Sequence, residues 1–322
     1  MVSILIEKQD KKRMKRIAEI DILKGVLILL VVSFHLVYIE YLYPYAKQVV
    51  YTFHMPIFLV LSGFLRARRK QPKHLIRSLF WLAVPYIVME SGYIMMAAVL
   101  PIAEHIDKLT VSVFFERLLL HPIGPYWYLH TIILCEGVCH FTSYLVVEKK
   151  QTCLLLTALI LYVCSWAFGI MSFSMSIYFL MGFMLRWQNI QITDFFRASA
   201  LPLAFFAMLI ARQENLNASA ICGMLIIYTA AGSILYLSRH VGSRVRLSLQ
   251  FLGRNSLSVF LFSPIFTIVC KQLVPYVSFD PTGIVFLILS LTLCVSGSLL
   301  IAWTMDKLSL SDLMFGKHII YV

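Results

Sequence analysis

Three polar residues interrupt an apolar run near the start of the chain. They are Asp21, Lys24 and His35 in EIDILKGVLILLVVSFHL, residues 19–36. A helix turns by about 100° per residue, so eleven steps bring Lys24 and His35 within about 20° of each other, about 16 Å apart along the axis. Asp21 falls about 40° from His35, and the three share one face. Asp21 and Lys24 suit an ion pair near a membrane surface. His35 sits where an ionisable group is costly in lipid and usually faces a polar cavity. Imidazole can take a proton or carry an acyl group near neutral pH. The face is therefore suited to group transfer or to moving protons.

Other residues invite chemistry with an ordinary reading beside it. A carboxylate that orients His35 could be Asp21, Glu40 or Glu136. Asp21 is too far along the same helix for contact. Glu136 lies in a later apolar run and either partners His35 or pairs with the flanking His130 or His140. His54 precedes Met55-Pro56 and would bond the carbonyl that Pro56 frees about one turn upstream. Ser62 and Gly63 read first as close helix packing, Ser62 alternatively as a donor to a bound group. Tyr126, Trp127 and Tyr128 read as an aromatic belt at the outer interface or as rings that stack on sugars. Cys135 and Cys139 share a helix face beside Glu136 and His140, where a metal is conceivable. Small apolar packing explains the seven cysteines better, and no metal is expected.

Composition fixes the class. Of 322 residues, 60% are hydrophobic and only 14% charged, against about half and about a quarter in soluble domains. This is an all-α, polytopic membrane protein, read as one domain over 1–322 with no soluble domain. The first apolar run is too long for a cleavable signal and should stay as an anchor. The net charge of +12 does not point to nucleic acid, because the basic residues lie in short clusters between apolar runs.

Ten runs qualify as spans, at 19–39, 49–66, 78–100, 126–147, 152–170, 173–187, 198–212, 219–238, 255–274 and 283–305. With residues 1–18 in the cytoplasm and the segments alternating, Lys47, Lys108, Arg117, Arg212 and Lys271 alone fall outside. Lys24 lies in the first span, and every other Lys and Arg falls inside. The bias predicts a plasma-membrane protein with both termini in the cytoplasm, 306–322 being a cytoplasmic tail. The outer loop near Pro101 to Pro125 has room for a short interfacial helix.

The first helix resembles that of the acyltransferase-3 family of integral-membrane acyltransferases, in which a basic residue, ten further residues and a His recur. Lys24 and His35 fit that spacing. FHMPIFLVLSGFL at 53–65, KHLIRSLFWLAVPY at 73–86, GPYWYLHTIILCE at 124–136 and LGRNSLSVFLFS at 252–263 resemble further segments of the family in the same order. Two places depart from it. Phe260 and Ser263 stand where the late motif continues to Tyr and His, and Phe80 stands in the second place of a paired-Arg motif that Arg77 begins.

The resemblance implies O-acylation, usually O-acetylation, of an envelope polysaccharide or glycolipid, with acetyl-CoA or another acyl-CoA as donor. His35 would be base or acyl carrier, with Glu136 as its partner, and His54 would reach the central cavity. Lys24 and Arg77, then Arg68, Arg69 and Asp21, would lie near the donor. Trp127, Tyr126 and Ser62 would lie near the acceptor. Anionic lipid is the ordinary partner of the basic cluster RARRKQPKHLIR. The rival reading is a transporter or flippase using the same polar stripe.

Overall fold

The computed structural model describes residues 17–66, 71–100, 104–146, 150–277 and 279–322. Among them every regular element is helical. The first run gives α1 (Ala18–Phe34), which stops at His35 and resumes as the short α2 (Val37–Leu42). Then come α3 (Pro44–Arg66), α4 (Pro72–Val99), α5 (Val111–Leu119), α6 (Trp127–Leu145), α7 (Lys150–Phe168) and α8 (Phe173–Trp187). After a single turn, α9 (Ile192–Phe195), follow α10 (Ala200–Ile210), α11 (Ile221–Ser238), α12 (Ser243–Arg254), α13 (Ser256–Cys270), α14 (Ile284–Lys307) and α15 (Leu310–Phe315).

A helix falls in each of the ten expected spans. Six of the stretches are long and apolar enough to cross a membrane: Pro44–Arg66, Pro72–Val99, Lys150–Phe168, Ile221–Ser238, Ser256–Tyr276 and Ile284–Lys307. α1, α8 and α10 are shorter, with 17, 15 and 11 residues, and α6, with 19, is not among the six either. α5 is the short helix for which the outer loop had room. α12 was not anticipated, because its Arg244, Arg246 and Arg254 read as loop.

α3 is the most enclosed of the six. It packs on α8, α11, α1 and α6. α7 and α14 stand at the edge and turn Leu155, Leu159, Trp166, Ile288, Leu289 and Leu300 outward, as lipid-facing helices do. Prolines mark the starts of α3 and α4, where a missing N–H costs nothing. Pro56 inside α3 leaves the Thr52 carbonyl without its helical donor.

Lipid offers no hydrophobic drive between helices, so close association relies on small residues. Two glycine crossings do this here. A Cβ on Gly63 would collide with the Phe179 carbonyl, and one on Gly182 with the Val60 carbonyl, so α3 and α8 touch backbone to backbone. A Cβ on Gly25 would meet the Leu249 carbonyl, and one on Gly253 the Asp21 carbonyl, which seats α12 on α1. The packing reading of Gly63 holds. Substituting valine at Gly253 must part α1 from α12, and overpacking of this kind costs roughly 3 kcal/mol. Thermal unfolding in detergent will show a clear loss for Gly253→Val and little change for Gly242→Ala, where a Cβ meets nothing.

Candidate active site

The site is built around the break at the end of α1. The His35 backbone N–H and its ring Nδ1 both turn to the Val31 carbonyl, at 3.1 and 2.7 Å. His54, one helix away on α3, repeats the geometry, with Nδ1 2.7 Å from the Val50 carbonyl. It does not reach the Thr52 carbonyl that Pro56 frees, since its own preceding turn offers an acceptor in line. A carbonyl only accepts, so Nδ1 must be the donor in both rings. Nε2 is therefore the nitrogen left to take a proton or attack a carbon. His35 is exposed and His54 is 3% exposed. Both line one small cavity of about 180 Å³ with Tyr51, Met55, Trp127 and Phe260. The Tyr51 ring lies 5.8 Å from His35 and 5.0 Å from His54, and its hydroxyl donates to the Phe34 carbonyl at 3.1 Å.

His35 also borders a second cavity of about 170 Å³, lined by Ser263, Thr267, Lys271 and Phe260. Phe260 and Ser263, the residues that depart from the late motif, thus both border the same cavity as His35. Toward the other end of α1 a larger cavity of about 370 Å³ opens between Lys24 and Arg66. Its walls include Ser62, Tyr128, Ser256, Met55 and Phe260. Met55 and Phe260 belong to both this cavity and the histidine chamber. The shared face expected for Lys24 and His35 therefore borders two adjacent cavities that have walls in common, with the cation at one and the imidazole at the other.

The charged mouth is a network. Asp21, 5% exposed, lies 3.8 Å from Lys24 and 3.8 Å from Arg254 of α12. The Asp–Lys pair was legible, whereas Arg254 was not, because α12 was not. Glu136, fully buried, accepts from Arg66 at 2.7 Å and from Ser78 at 3.1 Å. It is not among the residues lining either cavity that holds His35. The ring of His140 bonds the Glu136 backbone carbonyl at 2.9 Å, and His130 bonds the Leu119 carbonyl at 3.0 Å.

The remaining expectations divide. Arg77 is exposed on the first turns of α4. Arg68 and Arg69 lie outside the described residues. Ser62 both packs and points at the large cavity, where its hydroxyl meets that of Tyr128 at 2.7 Å. The aromatic belt is corrected. Tyr126 is 2% exposed and donates to the Leu261 carbonyl at 2.8 Å, and Tyr128 is buried too, because both hydroxyls find partners inside the bundle. Only Trp127 of the three lines the histidine chamber. Among the described residues no group of three or more His, Cys, Asp or Glu could hold a metal ion. Cys135 and Cys139 are buried packing residues.

Two members of the site had no signal that singled them out, Tyr51 and Met55, while Arg66 was legible only as the start of the basic cluster RARRKQPKHLIR. Tyr51 lies three residues before His54, one helical turn away, and that spacing was the available clue.

The outer side of Tyr51 forms part of a further cleft of about 560 Å³ with Glu40, Lys47, Gln48, Thr52 and Asn217. Lys47 is paired with Glu40, and Gln48 accepts from Gln213 at 2.8 Å. A polar cleft thus abuts the chamber from the side opposite the large cavity.

No curated protein and no solved structure matches the chain. A family model described as an acyltransferase domain matches residues 17–303. A match over nearly the whole helical bundle, together with apolar helices enough for a multi-pass membrane protein, means that this chain belongs to the acyltransferase-3 family.

Proposed function

We propose that this protein O-acetylates a hydroxyl of an envelope polysaccharide or glycolipid, drawing the acetyl group from cytoplasmic acetyl-CoA. The observation that carries the reading is the single chamber shared by His35 and His54, which has Met55 and Phe260 as walls in common with a cavity that has a cationic mouth. CoA is long and polyanionic at one end, with its thioester at the other. Lys24 and the basic segment after α3, with Arg68, Arg69 and Arg77, suit its phosphates. The thioester then extends toward the imidazoles. The acceptor approaches from the other side, past Tyr51, through the cleft of Glu40, Lys47 and Gln48. Its paired charges and amides suit a hydroxyl-rich neutral sugar better than an anion.

The reaction needs one proton moved. Nε2 of His35 takes the proton of the acceptor hydroxyl as its oxygen attacks the thioester carbon. A C–O bond forms, the C–S bond breaks, and the imidazolium returns the proton to the CoA thiolate. If the imidazole instead attacks first, it carries the acetyl group and the acceptor displaces it. His54, buried beside it, assists by holding the same tautomer. Glu136 serves the donor end through Arg66 rather than His35.

Two measurements test the reading. In detergent, with no gradient, purified protein given acetyl-CoA and envelope carbohydrate from cells lacking the gene will release CoA and acetylate the carbohydrate. Absence of product would favour the transporter, which needs no acyl donor. In intact cells an impermeant thiol reagent will label Lys108→Cys and Lys271→Cys but not Arg244→Cys, all three being exposed positions. Labelling of Arg244→Cys would reverse the orientation and place the cationic mouth away from cytoplasmic CoA.

A further inference from the structure

We propose that Phe260, with Met55 in the same walls, sets the length of acyl group the enzyme accepts and restricts it to short chains. The proposal rests on the acyl-transfer reading above and names a specificity device within it. Among the described residues Phe260 is the one that lines the donor-side cavity and both small cavities around His35. Met55 lines the first two. Met55 and Phe260 are thus walls that stand between the cationic mouth and the imidazoles.

The aromatic wall is held. The Phe260 ring meets Tyr126 edge to face at 6.1 Å and Tyr128 at 5.3 Å. Both partners are anchored through their hydroxyls, Tyr126 to the Leu261 carbonyl and Tyr128 to Ser62. Tyr126 is braced in turn by Tyr93 at 6.0 Å. Swinging Phe260 aside would disturb a buried aromatic stack, whereas Met55 is flexible and adapts.

Direction and volume complete the argument. The thioester carbonyl must meet Nε2 with its sulfur on the donor side, so the acyl tail enters the chamber ahead of it. The chamber, about 180 Å³, is about half the size of the donor-side cavity, about 370 Å³. It must also admit the acceptor hydroxyl and the first atoms of its sugar. An acetyl or propionyl tail leaves room for them. An octanoyl tail is far longer and competes with the acceptor for that space against the Phe260 wall.

The test is CoA release by purified protein from acetyl-CoA, butyryl-CoA and octanoyl-CoA, with the same isolated envelope carbohydrate as acceptor. Wild type should prefer acetyl over octanoyl by about a hundredfold or more in kcat/KM, and Phe260→Ala should narrow this to about tenfold by raising the octanoyl rate. Met55→Ala should narrow it in the same direction by less. Phe260→Tyr, which keeps the ring, should keep the preference. Wild type that uses octanoyl-CoA as well as acetyl-CoA overturns the proposal. So does an unchanged preference in folded Phe260→Ala, or in Met55→Ala and Phe260→Leu if the alanine variant does not fold. Failure of the acyl-transfer reading looks different, since wild type would then release CoA from none of the three donors.

Discussion

Replacing His35 by glutamine will abolish acyl transfer while leaving the protein folded and able to bind acetyl-CoA. The side-chain amide can donate to the Val31 carbonyl as Nδ1 does, so the break between α1 and α2 should survive. What is lost is a nitrogen that accepts a proton near neutral pH. General-base help is worth about 10²–10⁴-fold, and the loss of an acyl carrier would cost at least as much. Lys24 lies about 16 Å away along the helix, so calorimetric binding of acetyl-CoA should change little. CoA release in detergent measures the first effect and thermal unfolding the control. A rate within about tenfold of wild type would remove His35 from the chemistry and leave His54 as the base.

Substitution of Glu136 by alanine will act through stability. The carboxylate is fully buried and accepts from Arg66 and Ser78. Removing it takes the acceptor from Ser78 and from Arg66, which is 28% exposed at the cavity mouth, and losing such buried hydrogen bonds costs roughly 1–3 kcal/mol. Replacing both partners, as Arg66→Met with Glu136→Met, should recover much of that loss, because the pair is then removed together. Unfolding in detergent will separate the single from the double variant. Glu136→Ala with wild-type stability and the inactivity of His35→Gln would restore Glu136 as the partner of His35 in catalysis.

These two residues show where sequence reasoning reached and where it stopped. Lys24 and His35 sit on one helix, and the fixed turn per residue made their common face calculable. His54 was legible through its place beside Pro56, though not the carbonyl it bonds. Glu136 needed a partner on another helix, and nothing in the chain chose between His35, His130, His140 and Arg66. Only the packing of α3 and of α4 against α6 decided it, by bringing Arg66 and Ser78 to the carboxylate. Arg254 reached Asp21 for a similar reason. Gly25 and Gly253 let two backbones touch, a contact visible only once the two helices are placed together.

By itself the sequence determined the all-helical membrane class, ten helical segments and the polar stripe of the first helix. Those properties follow from local composition and a fixed helical period. Tertiary structure decided that Tyr126 and Tyr128 are interior, that Phe260 and Met55 line the same two cavities, and that the two imidazoles open on one chamber. Each of these is a distance between helices far apart in the chain, and it is set by which small residues allow close approach and which buried polar atoms must find partners.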